Sequence, residues 1–138
     1  MQAVQIERNF TQFVVFAEDS VLSALNKITA NKCRLIFVVS EGGVLQGALS
    51  DGDFRRWIAS CDVIDLNRPV TVAMNPACVS ASEATPTTDL AALLCQQVQV
   101  IPLLDDNGRV VAVASGGQRQ LQLNGRRIGE GEPAFLIA

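Results

Sequence analysis

The chain of 138 residues contains no histidine. It therefore has no His-activated nucleophile, no His-containing zinc site and no side chain whose ordinary pKa lies near neutrality, which excludes many classes of enzyme. It also has no C-x-x-C pair, because its cysteines stand apart among apolar neighbours. We expect free thiols rather than disulfides. The four cysteines are Cys33, Cys61, Cys78 and Cys95.

An excess of positive charge and long hydrophobic runs are also missing. Eleven basic residues against fourteen acidic ones give a net charge of −3, whereas nucleic-acid binders normally carry a basic face. No hydrophobic run approaches the roughly 20 residues of a membrane-spanning helix, and the N-terminus does not resemble a signal peptide. We therefore expect a cytoplasmic protein that binds neither nucleic acid nor membrane. Its length fits one compact domain or two small halves that share a core, since independent domains usually need about 100 residues.

The first half of the chain shows a helix, strand, strand, helix pattern. Apolar residues recur at helical spacing after Ser20, which is placed to cap the helix. A buried strand is predicted over Leu35–Val39, and a glycine-containing turn at 41–43 leads into a second strand over Val44–Leu49. A second helix is expected over Phe54–Ser60.

The same pattern returns 65 positions later without a gap. The second copy has a turn at Asp105–Gly108 and a predicted helix over Asp89–Cys95, which Thr87 or Thr88 would cap. Chance could align two such units, because few positions are identical. The matched turn glycine and the ungapped register favour a true repeat, whose copies bury their apolar faces against each other.

The junction Gly47–Arg56 carries residue types that suit a sugar and a phosphate. A carboxylate such as Asp53 accepts hydrogen bonds from ribose hydroxyls, while N–H groups at a helix N-terminus and guanidinium groups suit phosphate oxygens. The alternative is that Ser50 and Asp51 simply cap the helix. The two arginines that end the junction would then be solvated charges that balance its carboxylates.

Further features of the sequence are shared with one family. They are the order strand, helix, strand, strand, helix found twice; Met74-Asn75-Pro76 leading into Val79-Ser80; the strand Ile101–Leu104; and Gly47-Ala48-Leu49-Ser50 with Asp53 three residues later. Together they resemble a tandem pair of CBS domains, the Bateman module. The resemblance implies an α+β fold in which two β-α-β-β-α units pack with pseudo-two-fold symmetry. The expected divisions are an N-terminal extension at 1–12, CBS domains at 13–68 and 69–121, and a following domain or tail at 122–138.

In such pairs a cleft between the halves commonly binds adenine nucleotides. The resemblance implies that Asp53 holds the ribose hydroxyls, that Ser50 faces the ribose or phosphate, and that one or both arginines meet phosphate. Residues of Leu35–Phe37 and of Val14-Val15 would line the base pocket. The ligand-binding residues expected on this basis are Ser50, Asp53, Arg56, Arg55, Ile36, Phe37 and Val15. No catalytic or metal residue is assigned and no cofactor is required; the expected regulatory ligand is AMP, ADP, ATP or a CMP-sugar.

The second half departs from the ligand pattern. Sixty-five positions on, Gly47 is replaced by Ala112 and Asp53 by Gln118. Glutamine lacks the charge that makes a carboxylate a strong ribose acceptor. We therefore expect one ligand site per chain, with the second half acting as wall and scaffold.

Two short stretches bear on a larger parent protein. Asp51-Gly52-Asp53 with its following arginines resembles the first CBS domain of arabinose-5-phosphate isomerases and of certain sugar nucleotidyltransferases. Arg126–Ala138 resembles the opening of the sialic acid synthase family, which implies that the chain is the N-terminal module of an N-acetylneuraminate synthase-like enzyme. The alternative for this last segment is a hairpin that covers a sheet edge.

Three hypotheses follow from these patterns. The chain is a ligand-sensing module that regulates an attached catalytic domain, or a structural module that forms a homodimer without a ligand, or an independent enzyme. The third would use Asp51 and Asp53 as metal ligands or as acid and base. It is the weakest hypothesis, because two nearby carboxylates alone hold a catalytic metal poorly.

Overall fold

The computed structural model describes residues 4–31, 33–95 and 98–116. Seven strands and three helices lie within these ranges. The strands are β1 (Val4–Glu7), β2 (Val14–Phe16), β3 (Leu35–Val39), β4 (Leu45–Ser50), β5 (Ala81–Ser82), β6 (Val100–Leu104) and β7 (Val110–Gly116). The helices are α1 (Val21–Asn31), α2 (Asp51–Ser60) and α3 (Thr87–Leu93), and single 3-10 turns cover Thr11–Phe13 and Val70–Val72.

The strands form two sheets, one for each copy of the repeat. The first sheet has the order β2-β3-β4, and the second has the order β1-β7-β6-β5. In both, a parallel pair (β2 with β3, β5 with β6) adjoins an antiparallel hairpin (β3 with β4, β6 with β7). The predicted mixed α+β class is confirmed.

The repeat is visible in the strand register itself. Each residue pair between β3 and β4 recurs between β6 and β7 at a shift of 65 positions, from Leu35 opposite Ser50 to Val100 opposite Ser115. The irregularity in the two hairpins also falls at equivalent places. The turn glycines Gly43 and Gly108 both have positive φ angles, +87° and +80°, a backbone conformation that residues other than glycine rarely adopt.

The two hairpin turns meet across the pseudo-two-fold axis. The Leu45 N–H donates to the Gly108 carbonyl at 3.0 Å, and the Val110 N–H donates to the Gly43 carbonyl at 3.0 Å. The two donors are 65 positions apart in the sequence, and so are the two acceptors. The two halves therefore contact each other through equivalent backbone groups.

Each half also receives a segment from outside its own repeat unit. Strand β1 pairs with β7 of the second half. Asn75, in the segment between the halves, pairs with Ala48 of β4 through N–H to carbonyl bonds of 2.7 and 2.9 Å. The sequence did not predict β1, since a four-residue strand with three exposed positions shows no periodicity.

Helix boundaries depend on the caps. Ser20 caps α1 as predicted, because its Oγ accepts a hydrogen bond from the Ser23 N–H at 3.0 Å. The prediction that Thr87 or Thr88 caps α3 is wrong: Pro86 occupies the N-cap without any side-chain bond, and Thr87 is already helical. Proline presets the backbone angle at that position, so the helix begins earlier than its polar residues suggest.

The core formed by the described residues has three parts. One apolar cluster lies within each half, around β3 and β6 respectively. The third draws on both halves and contains Phe13, Phe37, Ala48, Val100 and Val113. None of the four cysteines is joined in a disulfide, as predicted. Among the described helices, none is long and apolar enough to cross a membrane.

Candidate functional site

Helix α2 begins with a reciprocal cap built from Ser50 and Asp53. The Ser50 Oγ accepts a hydrogen bond from the Asp53 N–H at 3.1 Å. In return, Asp53 Oδ2 accepts from the Ser50 N–H at 3.0 Å and from the Ser50 hydroxyl at 2.9 Å. This is a capping box with Asp in place of the usual Glu. The helix thus begins at Asp51 rather than at Phe54, and capping is a demonstrated role of this junction.

The other carboxylate oxygen of Asp53 is paired with Arg56. The Arg56 Nη2 donates to Asp53 Oδ1. The two partners differ in exposure: the Asp53 side chain is 9% exposed and the Arg56 side chain 72%. Arg55 lies on the exposed side of the helix. Of the two neighbouring arginines, Arg56 is therefore the one that contacts the carboxylate.

This junction opens onto a cleft of about 290 Å³ between the two halves. That volume lies near the lower end of the range for small-molecule sites, roughly 300–1,000 Å³. Three parts of the chain line it: β3, β4 and α2 of the first half, the segment between the halves, and the start of β6. The lining residues include Phe37, Ala48, Ser50, Asp53, Arg56, Asn75, Cys78, Val79 and Val100.

Two further cavities adjoin this cleft. One of about 330 Å³ shares Ser50 and Val100 with it and is lined by Arg34 and Gly52. The other, of about 410 Å³, shares Asp53, Arg56 and Asn75 with it and extends to Trp57 and Ser60. The Asp53–Arg56 pair therefore lies between the cleft and a second open space.

The structure brings four of the predicted ligand residues together at the cleft, namely Phe37, Ser50, Asp53 and Arg56. Ile36 and Val15 instead lie in the first-half core cluster, 0% and 2% exposed. Successive residues of a strand point to opposite faces, so Phe37 faces the cleft while Ile36 faces the core. The sequence interpretation took Leu35–Phe37 as one pocket-lining run. Ligand contact by these seven residues stays a prediction.

Several lining residues were not anticipated from the sequence. Asn75 and Cys78 come from the segment between the halves, where Pro76 gave the only signal by forcing an extended backbone before it. Arg34 lines the adjoining cavity with a left-handed backbone, φ +60°. No pattern in the sequence indicates that conformation for an arginine.

Gly47 has a structural role in this molecule, whereas the sequence interpretation placed it in the ligand-binding pattern. A Cβ at this position would lie 2.7 Å from the Asn75 carbonyl oxygen and 3.1 Å from Pro76 Cα. Contacts below 3.0 Å require the backbone to shift. Glycine is therefore needed here because the segment between the halves crosses β4 at close range.

Cys78 contributes a half-buried thiol to the cleft. Burial raises its pKa, and a backbone hydrogen bond offsets this only partly. The thiol is thus a weakly polar lining group at neutral pH rather than a thiolate nucleophile. Within the described ranges, no group of three or more His, Cys, Asp or Glu residues is placed to hold a metal ion.

Two sequence interpretations fall on residues outside the described ranges. They are the replacement of Asp53 by Gln118 in the second half and the resemblance of Arg126–Ala138 to the opening of sialic acid synthases. The proposed division of the chain at 68/69 and 121/122 likewise stays a prediction.

Comparison with known proteins finds one family model that matches part of the chain, related isomerases and similar solved structures. A family model described as the CBS domain matches residues 8–60. Arabinose 5-phosphate isomerase GutQ of Salmonella typhi is 29% identical over 97 residues, which is 70% of this chain and 30% of the isomerase. The Salmonella typhimurium protein gives the same values. The chain thus spans less than a third of the length of these relatives.

Solved structures match over more of the chain. CBSX2, solved in complex with AMP, is 22% identical with a TM-score of 0.67 and covers 86% of this chain and 94% of its own. The CBS domain pair of protein MJ0100, solved with 5′-methylthioadenosine and S-adenosylmethionine, is 19% identical with a TM-score of 0.60, and covers 82% of this chain and 91% of its own. With the family match to residues 8–60 and the repeated strand register, these likenesses show that the chain has the fold of a CBS domain pair.

Proposed function

We propose that this chain is a ligand-sensing CBS pair that binds an adenine nucleotide in the cleft at the start of α2. The observation that carries the proposal is the Asp53 carboxylate, which is buried yet lines a cleft between the two halves. A buried carboxylate costs free energy unless donors surround it. Here the donors are Ser50 and Arg56, and the cleft gives a ribose access to the same group.

The composition of the cleft suits the parts of an adenosine derivative. Apolar side chains such as Phe37, Val79 and Val100 offer a surface for a flat base. Asp53 supplies the acceptor for ribose hydroxyls, and Arg56 supplies a cation for an anionic 5′ group. The small molecules in the two solved relatives, AMP in one and methylthioadenosine with S-adenosylmethionine in the other, share the adenosine moiety. That shared moiety supports adenosine as the recognised core.

We further propose that the pair acts on an attached enzyme of sugar metabolism. The relatedness to an arabinose 5-phosphate isomerase supports a parent of that chemistry, and the sequence Arg126–Ala138 supports a sialic acid synthase-like parent; a sugar nucleotidyltransferase is the alternative. A CMP-sugar would then be the second ligand to test. Regulation would follow if the ligand binds one arrangement of the halves better than another. The chain would act as a homodimer in the cytoplasm.

Thermal unfolding of the chain with and without ligand tests the proposal. AMP, ADP, ATP, S-adenosylmethionine, CMP and CMP-sialic acid would each be added separately. A ligand at 100 times its Kd stabilises the folded state by roughly 2.7 kcal/mol. We expect such a shift with at least one adenine nucleotide.

Two matched variants locate the effect. Asp53→Asn keeps the size of the side chain and removes its charge, and we expect it to abolish the shift. Asp51→Asn removes a charge from the same helical turn but lies outside the capping box, and it should leave the shift intact. A flat response of the unmodified chain to every compound contradicts ligand sensing and favours a structural dimerisation module, whose mass light scattering would report.

A further inference from the structure

The hydrogen-bonding capacity of Asp53 is almost used up before any ligand arrives. An ionised carboxylate offers about four acceptor positions on its two oxygens. Oδ2 accepts from the N–H and the hydroxyl of Ser50, and Oδ1 accepts from Arg56. The two neighbouring hydroxyls of a ribose cannot both bind this carboxylate unless one existing donor leaves.

Arg56 is the donor that is free to leave. The bond from the Ser50 N–H belongs to the capping box of α2, so breaking it would disturb the helix start. The Ser50 hydroxyl stays beside Oδ2 because its oxygen accepts the other bond of that box, from the Asp53 N–H. The Arg56 side chain is 72% exposed and lines both the cleft and the adjoining cavity of about 410 Å³. It has room to swing away from Asp53 without moving the core.

We propose that Arg56 determines the ligand specificity of the cleft through this exchange; the inference rests on the proposed function. A ligand without an anionic 5′ group must displace Arg56 from Asp53, and it provides no acceptor to replace the carboxylate oxygen that the guanidinium loses. A ligand with a 5′ phosphate displaces it and then accepts its hydrogen bonds, in the fork geometry that arginine and phosphate share. Arg56 is thus a competitor toward adenosine and a binding partner toward AMP.

This exchange predicts that one substitution changes the two affinities in opposite directions. In Arg56→Gln, the Kd for AMP should rise about tenfold, because a charge-assisted phosphate contact is lost. The Kd for adenosine should fall about threefold, because the competing cation is gone. Isothermal titration calorimetry of the full 138-residue chain measures both.

Two control variants sharpen the measurement. Arg68→Gln removes the same charge at an exposed position that lines none of the three cavities, and it should change either Kd by less than about twofold. Arg56→Lys retains the cation but not the planar fork. It should bind AMP with an affinity between those of the unmodified chain and Arg56→Gln, and it serves as the test variant if Arg56→Gln does not fold.

The outcomes separate this inference from the proposed function. If the unmodified chain binds neither AMP nor adenosine but is stabilised by ADP or ATP, the inference alone is overturned; if no adenine nucleotide stabilises it, both are overturned. If it binds AMP but Arg56→Gln weakens AMP and adenosine equally, Arg56 only supports the site, and the inference alone is overturned. Unchanged affinities in Arg56→Gln overturn it as well. Weaker AMP binding together with tighter adenosine binding supports it.

Discussion

The two halves of this molecule share the hydrogen bonding of their hairpins and differ in the side chains at equivalent positions. Positions 65 residues apart have the same strand register and the same turn hydrogen bonds. Where the first half has Cys78 and Ala48 lining an open cleft, the second has Phe13 and Val113. Both larger residues are buried, 8% and 2% exposed, in the cluster between the halves. The repeat preserves hydrogen bonding and varies side-chain volume: where the first half has the Cys78 thiol, the second half has the aromatic ring of Phe13.

A second difference concerns the strands that end each hairpin. Gly47 in β4 has no room for a Cβ because Asn75 crosses it at close range. The equivalent Ala112 in β7 is fully buried and carries its methyl group, and strand β1 occupies the place of the crossing segment. The loss of glycine in the second half therefore follows from which segment crosses the hairpin. It is not by itself evidence of a degraded ligand site.

The largest expected effect comes from moving the aromatic ring from one half to the other. Cys78→Phe places in the first half the residue that already occupies the equivalent position of the second. We expect the Kd for AMP to rise at least about 100-fold because the ring fills the cleft. Titration calorimetry measures the affinity, and circular dichroism reports whether the chain still folds.

The matched control is Cys95→Phe, the same substitution at an exposed cysteine. It should leave AMP binding close to that of the unmodified chain. Retained AMP affinity in a folded Cys78→Phe chain would show that side-chain volume at this position does not control binding in the cleft.

A smaller effect is expected from exchanging the hairpin residues. Gly47→Ala forces a methyl group against the Asn75 carbonyl, and such overpacking costs about 1–3 kcal/mol of unfolding free energy. Ala112→Gly removes a buried methyl and adds backbone freedom, at a cost of about 1 kcal/mol. Urea denaturation of both variants measures the difference. Equal destabilisation would mean that the two crossings are equally tight.

Much of the fold could be predicted from the sequence because the repeat gives each element twice. Strand β3 has the predicted bounds Leu35–Val39, and β4 starts and ends one residue later than predicted. The turn glycines were correctly placed because positive φ leaves few alternatives. What the sequence could not indicate is pairing between distant segments, namely β1 with β7 and Asn75 with Ala48. Such pairing depends on tertiary contacts and leaves no local pattern.

The candidate site was predictable to a lesser degree. The resemblance to the family's binding pattern pointed to Ser50 and Asp53, whereas the capping alternative named Asp51 where the structure has Asp53 in the capping box. It could not indicate that Arg56 rather than Arg55 reaches the carboxylate, because that depends on side-chain direction. Cys78 and Val100 come from outside the first repeat and enter the cleft only through packing of the halves.

The smallest effect concerns the two hairpin turns, in which different side chains accept the equivalent backbone hydrogen bond. Asp105 Oδ1 accepts from the Arg109 N–H at 2.9 Å, and at the equivalent position Ser40 Oγ accepts from the Val44 N–H at 3.1 Å. The hydrogen bond from the Arg109 backbone lowers the pKa of Asp105 below its ordinary value of 3.8. The contribution of the Asp105 carboxylate to folding stability is therefore complete above pH 3.8, and it is lost as the pH falls through the lower pKa of the folded state.

Asp105→Ser would give the second turn the chemistry of the first. It should keep a turn hydrogen bond and remove this part of the acid sensitivity. Urea denaturation at neutral pH should then show only a small change in stability, because the carboxylate is exposed to solvent. The gap between the variant and the unmodified chain should narrow below pH 3.8. A gap that stays constant with pH would mean that the charge of Asp105 does not contribute, and that the two turns already stabilise their hairpins in the same way.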